Sequence, residues 1–216
     1  MNPAPRTAPT IPMIKVLGTI SLLCGILIVF TQVTTLARIR HNKEALMHEL
    51  IEQLLPGIQK QINYGIEPNG DLTILPGLEG EGRRIFAGYD AGGNFLGLVV
   101  ETNDRGYADT INAMYAYQPD TRTITGFQVV DMRETPGLGD RIRSDPGFLE
   151  NFKNIDASEA HPIVTVKHGT KKNSWEIDAI SGATVSSRAV GRMLQKSVDE
   201  KAPIIARNLD RIKRGK

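Results

Sequence analysis

Cysteine is nearly absent from this chain of 216 residues, in which Cys24 is the only one. A single thiol excludes an internal disulfide and a cysteine-rich zinc or iron–sulfur site. The four histidines form no close ligand pair of the HExxH kind, so no metal site is predicted. Aromatic residues make up 6% of the chain and charged residues 23%, ordinary values for a globular protein, which exclude a wholly disordered chain.

Acidic residues are missing from the first 43 positions, which hold five basic residues: Arg6, Lys15, Arg38, Arg40 and Lys43. Removing these five from the 26 basic residues leaves 21 against 24 acidic ones in residues 44–216, a net charge of −3. The formal charge of +2 is therefore an average over two unlike parts. A mildly acidic main part argues against a broad basic face, so no nucleic-acid partner is predicted.

Charge of either sign is absent from residues 16–37, a run of 22 mostly apolar residues. A helix of this length reaches about 33 Å, enough to cross a bilayer core of ~30 Å. A cleaved signal peptide is disfavoured because the run is too long and no small-residue cleavage pattern follows it. A buried core helix is rarely apolar all round, and Leu23 stands where a lipoprotein cysteine would need a small residue before it. The run therefore predicts one transmembrane helix.

The basic residues flanking this span do not decide its orientation. Two of them and the amino terminus precede the span and three follow it, so the positive-inside rule gives a tie. A helical stripe comes next and stops at Pro56-Gly57: Leu46, Met47, Leu50, Ile51, Leu54 and Leu55. The predicted parts are a tail (residues 1–15), the transmembrane helix (16–37), a connecting amphipathic helix (38–57) and a folded domain (58–216).

The folded domain reads as hairpins flanked by helices. Alternating apolar residues and turn signals predict strands over residues 72–75, 84–89, 95–101, 111–117, 124–133, 162–166 and 175–177. A short helix is expected over residues 146–152 and a long amphipathic one over 184–201, with Trp175 in the core. The basic residues 207–216 are either a solvated end or a contact with headgroups or a partner subunit. The pattern predicts an α+β fold with an antiparallel sheet and flanking helices.

One candidate site is the segment from Asp178 to Ser187, between the last predicted strand and the long helix. The plainer interpretation is a helix start with Ser181 as N-cap. The alternative is an anion site, because hydroxyls, free backbone N–H groups and the helix dipole favour a phosphate there. The segment matches neither a P-loop nor GxGxxG nor the GxSxG of a nucleophile elbow.

A second candidate is the sequence Glu134-Thr-Pro-Gly-Leu-Gly139. Pro136-Gly137 suits the two central positions of a type II turn. Gly137 and Gly139 would let a flat ligand approach the backbone closely. Taken alone, such a segment is more often just a turn.

Together the two motifs resemble those of the G subunits of Rnf electron-transport complexes, and of the related C subunit of the sodium-pumping NADH:quinone reductase. That family carries D-x-x-S/T-G-A-T, matched here by Asp178, Ser181, Gly182, Ala183 and Thr184. It also carries ETPGLG, matched at all six positions by residues 134–139. The order of the apolar span, the helix and the motifs agrees over nearly the whole chain. Residues 106–109 depart from the family's Gly-Tyr-Gly-Gly-like stretch.

The resemblance implies that Thr184 carries FMN through a phosphoester, attached by a separate flavin transferase that uses FAD and recognises Asp178. Ser181, Gly182 and Ala183 belong to the same attachment motif. Thr135, Leu138, Gly137 and Gly139 would pack along the flavin ring. Glu134 would accept a hydrogen bond from a backbone N–H, and Lys167 would favour a reduced, anionic flavin. No catalytic residue is assigned.

By the same resemblance, the chain is a membrane-anchored flavoprotein that relays electrons in an ion-translocating ferredoxin:NAD oxidoreductase. It would lie in the bacterial inner membrane with its domain on the periplasmic side. Its partners would be the other Rnf subunits (membrane and iron–sulfur or flavin subunits), the transferase during maturation, and lipid. The alternative is a flavin-free membrane-anchored scaffold or sensory domain of the same fold. A hydrolase using Ser181 or Thr184 has no His/Asp arrangement to support it.

Overall fold

A computed structural model describes residues 10–77 and 83–215. The first nine residues of the predicted tail lie outside the described part. The chain divides into two compact units, Met1–Ala45 and Leu46–Lys216.

The apolar run is helical throughout, within helix α1, Thr10–Leu54. Its segment Ile11–Leu36, with a mean hydropathy of 2.4, is long and apolar enough to cross a membrane. The threonine hydroxyls in it bond to the helix's own backbone, as Thr31 Oγ1 does to the Leu27 carbonyl at 2.8 Å. Such internal bonds satisfy the hydroxyls without water. The helix ends at Leu54, just before Pro56-Gly57.

The second unit is built on an antiparallel sheet of seven strands, in the order β2-β1-β3-β4-β5-β6-β7. Their bounds are Lys60–Ile66 (β1), Leu72–Leu75 (β2), Arg84–Tyr89 (β3), Phe95–Arg105 (β4), Thr110–Gln118 (β5), Thr123–Asp131 (β6) and Ile155–Asp156 (β7). Two further strands, Val164–Val166 (β8) and Glu176–Asp178 (β9), pair in parallel apart from this sheet.

Helices cover both faces of the large sheet. Besides α1, the helices are Pro146–Glu150 (α2), Thr184–Lys213 (α3) and two short 3-10 turns, Gly139–Arg143 and Asn151–Lys153. The end of α1 packs on one face, where Ile51 belongs to the same apolar cluster as Phe86. On the other face, Met193 and Leu194 of α3 share a core with Ile85. Because side chains alternate along a strand, neighbouring Ile85 and Phe86 reach opposite cores. The predicted α+β architecture is confirmed.

Several elements differ from the predictions. Strands β1 and β7 were missed, and β4 continues four residues past its predicted end, to Arg105. Helix α3 runs twelve residues past its predicted end at Lys201, through Pro203, to Lys213. Within its last turn, Ile212 is fully buried, and the Tyr89 hydroxyl donates to the Ile212 carbonyl. Three of the basic residues in this segment, Arg207, Arg211 and Arg214, remain exposed, while the same helix buries an apolar residue on its own domain.

The prediction that Trp175 belongs to the core was also wrong. Trp175 is only half-buried, and its ring stacks on that of His161 with the centroids 3.9 Å apart.

Candidate functional site

The buried carboxylate of Glu134 joins three segments that are far apart in sequence. Its Oε1 accepts hydrogen bonds from the backbone N–H groups of Tyr107 (3.0 Å) and Ala108 (3.1 Å). Its Oε2 accepts one from the Ser186 hydroxyl, at 2.6 Å, in the first turn of α3. The expected backbone hydrogen bond of Glu134 is thus present, and the two motifs lie side by side.

Two glycines of the second motif have different surroundings. Gly137, with φ +75°, is the third residue of a turn closed by the Leu138 N–H on the Thr135 carbonyl at 3.2 Å. This is the predicted type II turn, and a Cβ on Gly137 would meet nothing within 4 Å. A Cβ on Gly139 would instead lie 2.5 Å from Oε2 of Glu134 and 2.7 Å from the Ser186 hydroxyl. Close packing within the protein therefore requires a glycine at position 139, whether or not a ligand binds.

The start of α3 differs from the predicted helix cap. Ser181 is exposed and is not the N-cap; Ala183 holds that position, without a side-chain cap bond. The left-handed Gly182, with φ +84°, turns the chain into the helix at Thr184 instead. Backbone N–H groups in the first turn are therefore not capped by a side chain, and Thr184 itself is exposed.

Asp178 lies at the end of β9, where it fixes the neighbouring turn. Its Oδ1 accepts from the Gly169 N–H at 2.7 Å, and its Oδ2 lies 3.6 Å from Nδ1 of His168. Its own N–H donates to Asn151 Oδ1 at 3.0 Å. The side chain is thus half-buried and structural rather than a free surface carboxylate. Lys167 is exposed in the same turn, directly after β8.

Exposed apolar side chains lie on the segments that meet at the start of α3. Among the described residues after α1, five large apolar side chains are exposed, and three of them lie here: Tyr107 (69%), Leu138 (50%) and Val185 (49%). Leu138 Cδ2 lies 3.7 Å from where a Cβ on Gly182 would be, and Val185 follows Thr184 directly. We call these three residues the Thr184 patch. Two clefts of about 640 and 730 Å³ lie further along α3, and Thr184 lines neither of them.

Arg141 is a site residue that the sequence did not indicate. Its Nη1 donates to the Ser181 carbonyl at 3.4 Å and its Nη2 to Asp145 Oδ2 at 2.6 Å. Asp145 in turn caps α2 by accepting from the Phe148 N–H at 3.0 Å. This backbone bond, with smaller help from Arg141, lowers the pKa of Asp145. Arg141 thereby ties the loop before α3 to the segment after Gly139.

These residues fit FMN, which combines a phosphate with a flat aromatic ring. The exposed Thr184 hydroxyl and the uncapped first turn of α3 suit the phosphate, and the Thr184 patch offers an apolar surface for the ring. No group of three His, Cys, Asp or Glu side chains suited to a metal occurs among the residues that the structure describes.

The fold and this site define an FMN-binding domain. The family described as "FMN-binding domain" matches residues 106–199, which include both motifs. The crystal structure of NqrC from Shewanella oneidensis has the same fold, with a TM-score of 0.59 at 23% identity, covering 71% of this chain and 83% of that one.

Curated relatives narrow the family further. The G subunit of the ion-translocating oxidoreductase complex of Methanosarcina acetivorans is 32% identical over 83% of this chain and 88% of the relative. The G subunit of the proton-translocating ferredoxin:NAD(+) oxidoreductase complex of Clostridium ljungdahlii is 31% identical over 55% of this chain and 60% of the relative. The chain belongs to the family of G subunits of ion-translocating oxidoreductase complexes, and the resemblance stated from its motifs is confirmed.

Proposed function

We propose that this chain is a membrane-anchored flavoprotein subunit that relays electrons through FMN in an ion-translocating ferredoxin:NAD oxidoreductase complex. The observation that carries the proposal is the exposed Thr184 at the uncapped start of α3, beside the Thr184 patch. The family membership and the matched FMN-binding domain support it. Bound FMN would supply the redox chemistry, and the protein would bind and orient it.

We further propose that FMN is attached covalently to Thr184. A threonine hydroxyl is a poor nucleophile unless a base activates it. A separate flavin transferase would therefore form the bond between Thr184 Oγ1 and the FMN phosphorus of FAD, and AMP would leave. The phosphodiester keeps one negative charge, which the N-terminus of α3 stabilises.

The other predicted site residues would hold the flavin ring and residues 181–183 before α3, which we call the attachment loop. Thr135, Gly137 and Leu138 form the turn beside Gly182 and would border the ring. Glu134 and Gly139 would not contact the ring themselves. They would position it indirectly, because they fix this turn against α3.

The remaining predicted site residues precede Thr184 in the chain, in the loop before α3, at the end of β9 and directly after β8. Ser181 and Ala183 complete the attachment loop with Gly182, and Asp178 would serve transferase recognition from the end of β9. Lys167, exposed in the neighbouring turn, would favour the anionic reduced flavin electrostatically.

The anchor and the partners follow from the same proposal. The chain would consist of the tail (residues 1–15), a transmembrane helix (16–37), a connecting helix (38–57) and the FMN domain (58–216). The domain would lie on the periplasmic side of the inner membrane, among the other Rnf subunits. Reporter fusions at both ends test this orientation, which the charge count leaves open; a cytoplasmic C-terminal reporter signal would contradict it.

Covalent attachment is tested by viewing a denaturing gel under ultraviolet light. In a host with a competent flavin transferase, we expect a fluorescent band from the wild-type chain and none from Thr184→Val. Thr121→Val, which alters an exposed threonine in the turn between β5 and β6, serves as matched control and should stay fluorescent. A colourless wild-type band would contradict the proposal and favour the flavin-free scaffold or sensory domain.

A further inference from the structure

Arg188 lies one helical turn after Thr184 on the same face of α3, and both side chains are exposed. Residues four apart on a helix are neighbours, with about 5–6 Å between their Cβ atoms. Helical side chains also lean towards the N-terminus of their helix. The Arg188 guanidinium is therefore within reach of a group carried by Thr184.

Two other arginines near this position already have partners: Arg192, one turn further along α3, and Arg141, beside the attachment loop. Arg192 Nε donates to Asp104 Oδ2 at 2.9 Å, and its Nη2 donates to the Arg105 carbonyl at 3.0 Å. Arg141 is bonded to Asp145. For Arg188, the part of the chain that the structure describes provides neither an ion pair nor a hydrogen bond to the guanidinium.

Local sequence explains this lack of a partner. The positions three and four residues from Arg188 on α3 are occupied by Thr184, Val185, Gly191 and Arg192, and none is acidic. An exposed arginine with no carboxylate one turn away leaves its five donors to water or to an anion.

We propose that Arg188 is the counter-charge of the phosphodiester on Thr184. This inference rests on the proposed covalent attachment of FMN. A guanidinium can donate two parallel hydrogen bonds to phosphate oxygens, which fixes orientation as well as charge. Arg188 is thus a positioning residue, since it holds the phosphate and through it the tether of the ring. It makes flavin loading stabilise the fold.

The test is a thermal unfolding cycle on the full-length chain in detergent. Wild type and Arg188→Gln are each prepared with flavin, and without it from a host lacking the transferase. We expect Arg188→Gln to lower the melting temperature of the loaded chain by about 1–3 °C, the size of a surface ion pair in a domain this large. In the unloaded chain the same substitution should change it by under about 1 °C, because no anion is lost.

Lys196→Gln is the matched control. Lys196 is exposed on the same helix and lies eight residues, or about 12 Å, beyond Arg188. Removing its charge should have the same small effect on both forms. In ³¹P NMR of the loaded chain, the phosphodiester signal should move with Arg188→Gln and stay in place with Lys196→Gln. If Arg188→Gln blocks loading, restoration of loading by Arg188→Lys would support the counter-charge.

Two results would overturn the proposal for Arg188 alone: equal melting shifts in loaded and unloaded chains, or a loading defect that Arg188→Lys leaves uncorrected. Both results count only in a host where the wild-type chain becomes fluorescent, which shows that the wild-type chain is loaded there. A wild-type chain that acquires no flavin there would instead contradict the proposed function itself, and the counter-charge with it.

Discussion

A single buried carboxylate organises the candidate site. Glu134 reaches the loop of Tyr107 and Ala108 with one oxygen and Ser186 of α3 with the other. Its three donors come from two segments that do not adjoin its own in sequence. The exposed aromatic ring of Tyr107 and the start of α3 are therefore held in register by one side chain.

Removing this carboxylate should loosen the site more than removing its charge. Glu134→Ala leaves two backbone N–H groups and a hydroxyl without their acceptor, and we expect a loss of about 2–4 kcal/mol in the free energy of unfolding. Glu134→Gln keeps one acceptor oxygen for the backbone, and Ser186 can turn to accept from the amide, so about 1 kcal/mol is expected. Urea unfolding gives both values. Hydrogen exchange at the amides of Tyr107 and Ala108 should accelerate in Glu134→Ala; unchanged exchange would contradict the assigned bonds.

The two glycines of the Glu134–Gly139 motif can be compared directly. Gly139→Ala puts a methyl group 2.5 Å from Oε2 of Glu134, so we expect overpacking to cost about 1–3 kcal/mol of unfolding free energy. Gly137→Ala meets no atom, and only its left-handed backbone opposes alanine, at a cost of about 1–2 kcal/mol. Crystal structures should show the Glu134 carboxylate displaced in Gly139→Ala alone. Its displacement in Gly137→Ala would contradict this distinction.

The turn in this site could be predicted from the sequence, but the contacts between residues distant in sequence could not. The turn at Pro136-Gly137 follows from residue types at adjacent positions. Ser186 lies 52 residues from Glu134, and the Ser181 carbonyl lies 40 residues from Arg141. No spacing rule connects such pairs, because the fold alone brings them together.

At the scale of elements, the same difference explains which strands were predicted. Strands β2 and β3 were predicted with their observed bounds, because their apolar residues stand between clear turn signals. Strand β1, Lys60–Ile66, was missed although Ile62, Tyr64 and Ile66 alternate with polar residues and a glycine, the period of a half-buried strand. Helix α3 passes through Pro203, which local rules treat as a helix end. Burial of Ile205 and Ile212 beyond it outweighs that local cost.

The last turns of α3 should therefore contribute to stability. Ile212 is fully buried, and Ile212→Ala should cost about 2–4 kcal/mol of unfolding free energy through lost burial and the cavity left behind. Leu209→Ala on the same helix, where the side chain is half-buried, should cost about half as much. Urea unfolding of the full chain in detergent measures both. If Ile212→Ala lowered the unfolding free energy by less than Leu209→Ala does, the helix end would not be part of the packed domain.

At the scale of the whole molecule, charge is distributed unevenly along the chain. Residues 1–43 hold no acidic residue, whereas the folded domain buries the acidic residue Glu101 together with two cationic residues, Arg84 and Lys201. Arg84 binds its Oε2 and Oε1 through Nε and Nη2, at 2.7 and 2.5 Å. Lys201 of α3 donates to the backbone carbonyl of Glu101. This cluster links β3, β4 and α3, the helix whose first residue is Thr184.

The buried Lys201 gives the whole domain a predictable pH dependence. Burial lowers the pKa of Lys201 to about 8 from 10.5, although Glu101 opposes the change. Between these values the unfolded chain binds more protons than the folded one, so stability rises with pH through this window. Above pH ~10 the effect reverses, because burial raises the pKa of Tyr89, Tyr115 and Tyr117 and only the unfolded chain then loses those protons.

The unfolding free energy should therefore rise by about 1–2 kcal/mol between pH 7.5 and 9.5. Lys201→Met keeps the length and apolar stem of the side chain but cannot titrate, so its stability should be nearly flat over the same range. It should also exceed that of the wild type at pH 7.5, because an ammonium no longer has to be buried. Urea unfolding of both chains in detergent, at matched ionic strength, measures the difference. An equal rise in Lys201→Met would assign the pH dependence to other groups and contradict a partly neutralised lysine under the sheet.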